Sequence, residues 1–266
     1  MTLMQYPIVA QMVALIGCST SFPVGAAVSA PPDHGSPPHH VLVFSKTAGF
    51  RHASIPTGVE AIKKLGERNG FTVESIEDAS VFTDANLARF STVVFMSTTG
   101  DILNDDQQAA FERYIRSGGG FLGIHAAADT EYDWPWYGRL VGAYFKGHPA
   151  VQEATVVVAD RVHPSTKHLP MRWQRRDEWY EYRTSPRGKV HILATLDEST
   201  YKGGGMGDDH PIAWCHEFDG GRAFYTGGGH TNESFVEPAF LQHLLGGILW
   251  TAGIEKADAG TTPRPP

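Results

Sequence analysis

The segment Gly118–Asp129 constrains the fold of this chain more than any other part of its sequence. The apolar run Phe121–Ile124 is typical of a buried strand, and it leads directly into a tight turn that presents one polar side chain, His125. In an open α/β sheet, ligands bind outside the carboxyl ends of the strands, and a residue at such a turn faces the ligand. An imidazole there can act as a base, an acid or a metal ligand, which disfavours covalent acyl transfer.

Strands and helices alternate through the first half of the chain. The apolar runs His40–Ser45 and Thr92–Met96 predict buried parallel strands, and a helix is predicted from a Ser54 cap to Asn69-Gly70. This alternation predicts a doubly wound, mostly parallel α/β sheet. The second half is richer in strands, which we predict at Glu153–Val158, Glu178–Tyr182, His191–Leu196, Pro211–Phe218 and Arg222–Thr226, and it ends in a helix over Pro238–Trp250.

The first 38 residues differ in kind from the rest. A short apolar run, Pro7–Gly17, is followed by Cys18 and a Pro-rich stretch, which is typical of an export signal and too short to span a bilayer. The residues Leu15-Ile16-Gly17-Cys18 resemble a bacterial lipoprotein cleavage site, which would allow a lipid anchor at Cys18. Cleavage after Ala30 is the alternative. Because no Lys or Arg precedes the apolar run, the stretch could instead be a disordered extension of a cytoplasmic protein. We expect an exported protein with residues 1–38 outside the fold, one domain over 39–254 and a disordered tail over 255–266.

Composition excludes several classes of partner and chemistry. The 266-residue chain carries a net charge of -7 and has no basic stripe, which argues against nucleic acid as a partner. Its two cysteines cannot form a disulfide framework. Gly118–Gly120 precedes a strand instead of opening a helix, so it is not a dinucleotide fingerprint. The expected partner is a small ligand, and the sequence leaves the oligomeric state open.

Polar side chains follow the predicted strands in four segments of the chain, 46–52, 97–101, 125–136 and 227–233. The carboxyl ends of parallel strands meet at one edge of a sheet, so these segments should converge on one site. Trp134 and Trp136 flank a proline and predict a platform that stacks on a sugar ring, with core packing as the alternative. Residues expected to contact the ligand are Lys46, Phe50, Arg51, His52, Asp133, Trp134, Trp136 and Glu178.

Histidines and carboxylates in these segments make a divalent metal such as zinc possible, because imidazole and carboxylate are ligands that such ions accept. No local signature such as HExxH is present, so folding would have to bring the ligands together. Glu178 or Asp129 could complete the set. The candidate imidazoles are His125, His148, His210 and His230.

The chain resembles the trehalose-utilisation (ThuA-like) family over about residues 40–253. The resemblance rests on Val41–His52, Gly123–Asp129, Trp134–Trp136, Gly147–Pro149, Asp209–Trp214 and Gly227–His230. It implies a flavodoxin-like, class I glutamine amidotransferase-like fold with extra strands in the second half. It also implies a role in sugar catabolism, including keto-sugars made from disaccharides.

The wider superfamily sharpens the catalytic hypothesis. Amidotransferases of this fold hold a Cys at the strand-to-helix turn, where this chain has His125, whereas His230 and Glu233 resemble their later His/Glu pair. The resemblance therefore excludes glutamine hydrolysis through a thioester. We expect His125 and His230 to act as acid/base groups or metal ligands, oriented by Asp129 and Glu233, in lyase, isomerase or hydrolase chemistry on a keto-sugar or oxidised glycoside. The alternative is a sugar-binding protein without turnover.

Overall fold

The structure is a computed structural model that describes residues 1–2 and 39–262. Chain contacts divide the protein into Met1–Ser36 and Pro37–Pro266, and every element below belongs to the second unit. Its α-helices are α1 (Ile55–Asn69), α2 (Asp84–Leu87), α3 (Asp105–Arg116), α4 (Pro135–Val141) and α5 (Pro238–Thr251). Its strands are β1 (His40–Phe44), β2 (Thr72–Ile76), β3 (Thr92–Met96), β4 (Gly120–Ile124), β5 (Phe145–Gly147), β6 (Gln152–Val158), β7 (Arg172–Asp177), β8 (Glu181–Tyr182), β9 (His191–Asp197), β10 (His210–Phe218) and β11 (Gly221–Thr226).

Within residues 39–262, one sheet of nine strands runs in the order β2-β1-β3-β4-β11-β10-β9-β6-β7. Strands β2, β1, β3, β4 and β11 pair in parallel, whereas β11-β10, β10-β9, β9-β6 and β6-β7 pair antiparallel. The predicted doubly wound α/β fold with extra strands in the second half is therefore confirmed. The parallel half aligns the carboxyl ends of β1, β3, β4 and β11, and the candidate site lies there.

The apolar runs form the central strands because both faces of the sheet are covered. Every residue of β3 and β4 is buried, as expected for parallel strands with helices on both sides. Helix α3 begins with the predicted capping box, in which Asn104 and Gln107 each bond the other's backbone N–H. Helices α1 and α5 contact each other and pack on the strands of the parallel half.

Ser54 precedes α1 but does not cap it as the sequence predicts. Its side chain makes no capping hydrogen bond, because the Oγ hydroxyl donates to the carbonyl of Gly229 at 3.0 Å. This bond joins the loop after β1 to the loop after β11. The start of α1 therefore fixes two candidate-site segments relative to each other.

Two boundaries differ from the sequence prediction. Strand β7 lies in a segment for which the sequence predicts no strand, and the chain leaves it at Asp177. Glu178, predicted as the start of a strand, therefore lies in a loop. Residues 255–262, predicted as part of a disordered tail, contact the domain: the N–H of Gly188 donates to the carbonyl of Thr262, whose own N–H donates to Val190. Residues 263–266 and the predicted signal segment around Cys18 lie outside the described residues. No helix in the described part of the chain has the length and apolarity needed to cross a bilayer.

Candidate metal centre

His125 follows β4 at a strained turn. Its φ is 49°, in the left-handed region that side chains other than glycine rarely occupy, and its ring is fully buried. Nδ1 lies 2.8 Å from the carbonyl of Gly227, and the carbonyl of His125 accepts a bond from the Tyr225 hydroxyl at 2.8 Å. With Nδ1 bonded to a carbonyl, Nε2 carries the lone pair and can bind a metal ion.

His52 belongs to the loop between β1 and α1. Thr99 anchors this loop, because its carbonyl accepts from the N–H of Ala48 at 2.7 Å and its hydroxyl donates to the carbonyl of Phe50 at 2.9 Å. The His52 side chain is buried, and its ring centroid lies 4.9 Å from that of His125 and 5.2 Å from that of His230. The sequence predicted contact with a ligand for this residue, and the structure places it beside two other imidazoles.

Glu178 and His230 are positioned by one buried carboxylate, Asp177, at the end of β7. Asp177 Oδ1 accepts the backbone N–H of Glu178 and of His230, each at 3.0 Å, and Oδ2 accepts the N–H of Gly229 at 2.8 Å. Arg175 neutralises the charge of Asp177 at 3.1 Å. The loop after β7 and the loop after β11 are thereby held together.

The side chains of His52, His125, Glu178 and His230 form the four-residue cluster of this site. One donor atom from each lies within 4.8 Å of the other three. Glu178 Oε2 is 3.1 Å from His230 Nδ1 and 3.4 Å from His125 Nε2. Three nitrogens of the cluster (His52 Nδ1, His125 Nε2 and His230 Nδ1) are buried and make no hydrogen bond of good geometry to a described residue, although Glu178 lies close to two of them. Buried polar atoms are rarely left unbonded, so these three imply a missing partner.

The charges of the cluster favour a cation. Burial and the neighbouring imidazoles lower the pKa of His52 to about 3, so its ring is neutral near pH 7. Burial alone would raise the pKa of Glu178, but its polar contacts with His125 and His230 outweigh burial and hold that pKa well below its usual range. The contact with Glu178 raises the pKa of His230. The neutral ring of His52 and the ionised Glu178 have the protonation state that metal ligands require, whereas a cation would have to compete with a proton at His230.

The donor set fits a divalent transition metal. Three imidazole nitrogens and one carboxylate oxygen are donors that zinc and similar divalent ions accept, and an ion that takes more than four ligands would keep a position for substrate. Outer-sphere hydrogen bonds orient the ligands of metal sites, and this cluster has such bonds. His125 Nδ1 bonds the carbonyl of Gly227, and Asp177 accepts the backbone N–H groups of Glu178 and His230. His52, His125, Glu178 and His230 are therefore the residues that could hold a metal.

Two predicted metal ligands take other roles. His210 is buried with both ring nitrogens engaged, Nδ1 with Glu198 at 2.7 Å and Nε2 with the carbonyl of Tyr180 at 2.8 Å, so it has no free lone pair. His148 is 40% exposed at the rim, where Nδ1 lies 3.1 Å from Glu178 Oε1. It approaches the cluster without joining it.

A cleft of about 360 Å³ opens above the cluster, near the lower limit of roughly 300 Å³ for small-molecule sites. Two larger surface grooves, of 520 and 560 Å³, border α1 and contain none of the cluster residues. The cleft is lined by Phe50, His52, Asp129, Phe145, His148, Glu178, Tyr180 and His230.

The structure does not bring Trp134 and Trp136 to this cleft. Both side chains are 7% exposed and stack on each other with centroids 5.2 Å apart. Their indole N–H groups donate to Glu112 at 3.1 Å and to Asp219 at 2.9 Å. Because burial and these carboxylates occupy both rings, the pair packs in the core and is not a sugar platform.

Four other predicted site residues also lie outside the cleft lining. Lys46 donates to the carbonyl of Ile102 at 2.8 Å, and Arg51 forms an exposed ion pair with Glu77 at 2.6 Å. Asp133 and Glu233 are exposed. Glu233 begins a short 3₁₀-helix, and its backbone carbonyl accepts from Glu237, so we find no orienting contact from it to His230.

Sequence reasoning missed Asp177, Phe145 and Tyr180. The Tyr180 ring lies 4.0 Å from that of His125 and 4.2 Å from that of Phe145, centroid to centroid. These aromatic rings form the wall of the cleft in place of the two tryptophans. The only available signal in the sequence was the adjacent acidic pair Asp177-Glu178.

Comparisons with known proteins agree with this fold. A protein-family model described as trehalose utilisation (ThuA) matches residues 40–251. A thua-like protein from Bacteroides uniformis is 24% identical with a TM-score of 0.70, covering 84% of this chain and 95% of its own. A thua-like protein from Parabacteroides merdae is 23% identical with a TM-score of 0.69, covering 81% and 90%. A beta-galactosidase from Bacillus circulans is 14% identical with a TM-score of 0.53, and the likeness covers 85% of this chain but 32% of that enzyme. At these identities the structures share the fold alone. A search of curated proteins by sequence finds no match.

Proposed function

Because this chain belongs to the trehalose-utilisation (ThuA) family, we propose that it is a metal-dependent enzyme of sugar catabolism that acts on a keto-sugar or oxidised glycoside. The observation that carries the proposal is the cluster of His52, His125, Glu178 and His230, in which three buried imidazole nitrogens make no hydrogen bond of good geometry to a described residue. The family supplies the link to carbohydrate, and the cluster supplies the chemistry.

The cluster suits reactions in which negative charge develops on a carbonyl oxygen. A divalent ion held there would act as a Lewis acid on that oxygen. Glu178 and the three imidazoles would hold this ion in place. Asp177 fixes the positions of Glu178 and His230 by accepting their backbone N–H groups. Such a site would best assist a reaction that removes a proton from the carbon next to a ketone.

Covalent catalysis through a thiol receives no support from the described residues. Cys215 is buried within β10, and burial raises the pKa of its thiol far above the usual range. The turn after β4 presents an imidazole and no nucleophilic hydroxyl or thiol. Proton transfer and electrostatic stabilisation are the chemistries that remain.

The test is elemental analysis of the full chain purified without chelator, followed by incubation with keto-derivatives of trehalose and of methyl glucoside under NMR observation. We expect a stoichiometric divalent metal, conversion of a keto-sugar, and loss of conversion after chelation with recovery when zinc is returned. The unoxidised parent sugars are the matched controls. A protein that binds no metal, even after addition of zinc, contradicts the proposal. Binding of sugar without any product would favour the non-catalytic alternative.

A further inference from the structure

Asp129 is a second carboxylate in the cleft, separate from the four-residue cluster. It follows the short 3₁₀-helix His125–Ala128, which begins at a cluster residue. Its side chain lines the cleft together with His52, Glu178 and His230. The same turn of chain therefore delivers one cluster imidazole and one carboxylate to a single cavity.

The carboxylate of Asp129 is held firmly through one oxygen. The Tyr132 hydroxyl donates to Oδ1 at 2.6 Å, and the guanidinium of Arg183 covers the Tyr132 ring at 4.0 Å. The backbone is fixed as well, since the N–H of Asp129 donates to Ala126 at 2.8 Å and its carbonyl accepts from Gly100 at 2.9 Å. Such second contacts are what a catalytic group needs to hold its position.

The other oxygen, Oδ2, makes no hydrogen bond to any residue in the described part of the chain, and the side chain is half-buried. A carboxylate that lines a ligand cleft, with one oxygen anchored and the other without a hydrogen bond, is arranged to accept a proton from a ligand. Structural carboxylates of this chain differ: Glu131, for example, is buried and uses both oxygens to bond backbone and side-chain donors.

We propose that Asp129 is the general base of the reaction, an assignment that rests on the proposed function. Asp129 Oδ2 takes the proton from the carbon next to the substrate carbonyl. The C–H electron pair becomes the new C=C bond, and the carbonyl π pair moves onto oxygen, where a cation held by the four-residue cluster would balance the charge. Return of the proton to the same carbon restores the ketone, so the step needs no oxidant or reductant.

Other polar groups lining the cleft suit this role less well. Glu178 contacts His125 and His230 and belongs to the cluster. Tyr180 is buried, and burial raises the pKa of its hydroxyl far above the usual range. His148 is tied through Nδ1 to Glu178 and to the carbonyl of Pro149 at 3.0 Å. Asp129 is the carboxylate of the lining that remains free to act.

The experiment measures exchange of the protons next to the ketone in the 3-keto derivative of methyl glucoside, dissolved in heavy water and followed by proton NMR with the zinc-loaded full chain. We expect Asp129→Asn to lose exchange roughly 10²–10⁴-fold, the usual effect of removing a general base, with metal content unchanged. Asp101→Asn, which alters an exposed carboxylate outside the cleft lining, is the matched control and should exchange like wild type.

Three results would overturn the assignment. Equal exchange in wild type and Asp129→Asn would do so while leaving the proposed function intact. Loss of metal from Asp129→Asn would instead make Asp129 part of the metal site. Absence of exchange in the metal-loaded wild type would overturn the base and the proposed keto-sugar chemistry together. If Asp129→Asn does not fold, Tyr132→Phe tests the same proposal, because loss of the 2.6 Å bond should slow exchange about tenfold without releasing metal, and unchanged exchange would contradict it.

Discussion

Asp177 Oδ1 accepts the backbone N–H of His230 at 3.0 Å and the N–H of its own neighbour Glu178 at 3.0 Å. One buried carboxylate oxygen thus fixes two members of the four-residue cluster through their main chains. Glu178 and His230 are far apart in sequence, and these two hydrogen bonds to one oxygen set the distance between their backbones.

Asp177→Asn should weaken metal binding while leaving the sheet intact. The amide group replaces one acceptor oxygen with a donor that faces backbone N–H groups, so the loops carrying Glu178 and His230 lose their alignment. We expect zinc affinity to fall about 10–100-fold, the usual effect of losing an outer-sphere contact, and the visible spectrum of the cobalt-substituted protein to change. Asp160→Asn is the matched control, because Asp160 also accepts two backbone N–H groups, from Val162 and His163, but belongs to no site. Equal affinities in the two variants would contradict the positioning role.

Removal of single imidazoles should separate ligands from neighbours. We expect His52→Ala to lose stoichiometric zinc and His148→Ala to retain it, because His52 belongs to the cluster and His148 lies at the rim. His210→Ala should also retain zinc but lower the melting temperature, since it leaves Glu198 without its 2.7 Å partner. Elemental analysis and thermal unfolding distinguish these outcomes. Retention of metal by His52→Ala would refute the ligand set.

Metal removal should destabilise the folded protein. An ion that binds only the native state adds about 2.7 kcal/mol to the free energy of unfolding at a free concentration one hundred times its dissociation constant. We therefore expect the melting temperature to rise with added zinc and to fall with chelator, and His52→Ala to abolish this dependence. If added zinc does not change the melting temperature of the wild type, binding at the cluster is contradicted.

Three buried histidines remote from the cluster should make stability depend on pH. Burial lowers the pKa of His163 and of His216 to about 4, and that of His243 to about 3, whereas an unfolded imidazole titrates near 6.5. Between pH 6.5 and about 4, these three imidazoles become protonated in the unfolded chain but stay neutral in the native state. The free energy of unfolding should therefore fall as pH drops through this window, by up to about 1.4 kcal/mol per pH unit for each histidine.

His216→Leu tests this pH dependence at one residue. Both ring nitrogens of His216 are buried and make no hydrogen bond of good geometry to a described residue. At pH 7 the variant should match or exceed wild-type stability. Its free energy of unfolding should depend less steeply on pH, by the contribution of about one proton, as measured by denaturant unfolding between pH 7 and 4.5. An unchanged slope would show that His216 is protonated in the native state.

Phe50 and Trp136 should respond to truncation in opposite ways. Phe50 is 67% exposed at the mouth of the cleft, so Phe50→Ala should weaken sugar binding with little effect on the melting temperature. Trp136 is buried and bonded to Asp219, so Trp136→Ala should cost roughly 3–5 kcal/mol of stability. Calorimetry with a keto-sugar and thermal unfolding measure the two effects. Loss of sugar binding in a stable Trp136→Ala protein would restore the tryptophan platform predicted from sequence.

The parallel half of the fold could be predicted because its signals are local. The apolar runs of β1, β3 and β4 and the capping box of α3 each occupy a few consecutive residues. The edge strand β7 escaped prediction because Arg175 and Asp177 lie on its buried side, where they neutralise each other. Charged residues on an inward face conceal the alternation that identifies a strand.

The candidate site could be predicted only in part. His125 stood out because a single segment contains its strand and its turn. The membership of His52 and the exclusion of His210 depend on partners from distant segments, Glu178 for the first and Glu198 for the second. Trp134 and Trp136 were ambiguous for the same reason, since Glu112 and Asp219, which satisfy their indoles, are remote in sequence.

The spacing of the four cluster residues along the chain has a consequence for the order of assembly. A nascent chain that has reached the end of β4 contains His52 and His125 alone, too few to retain an ion against competing thiols and buffers in its surroundings. Glu178 follows β7, before β9, β10 and β11 have been synthesised, and His230 follows β11, the last strand of the sheet. Under the proposed function, a metal would therefore bind only after the last strand has joined the sheet, and a truncated molecule would lack part of the ligand set.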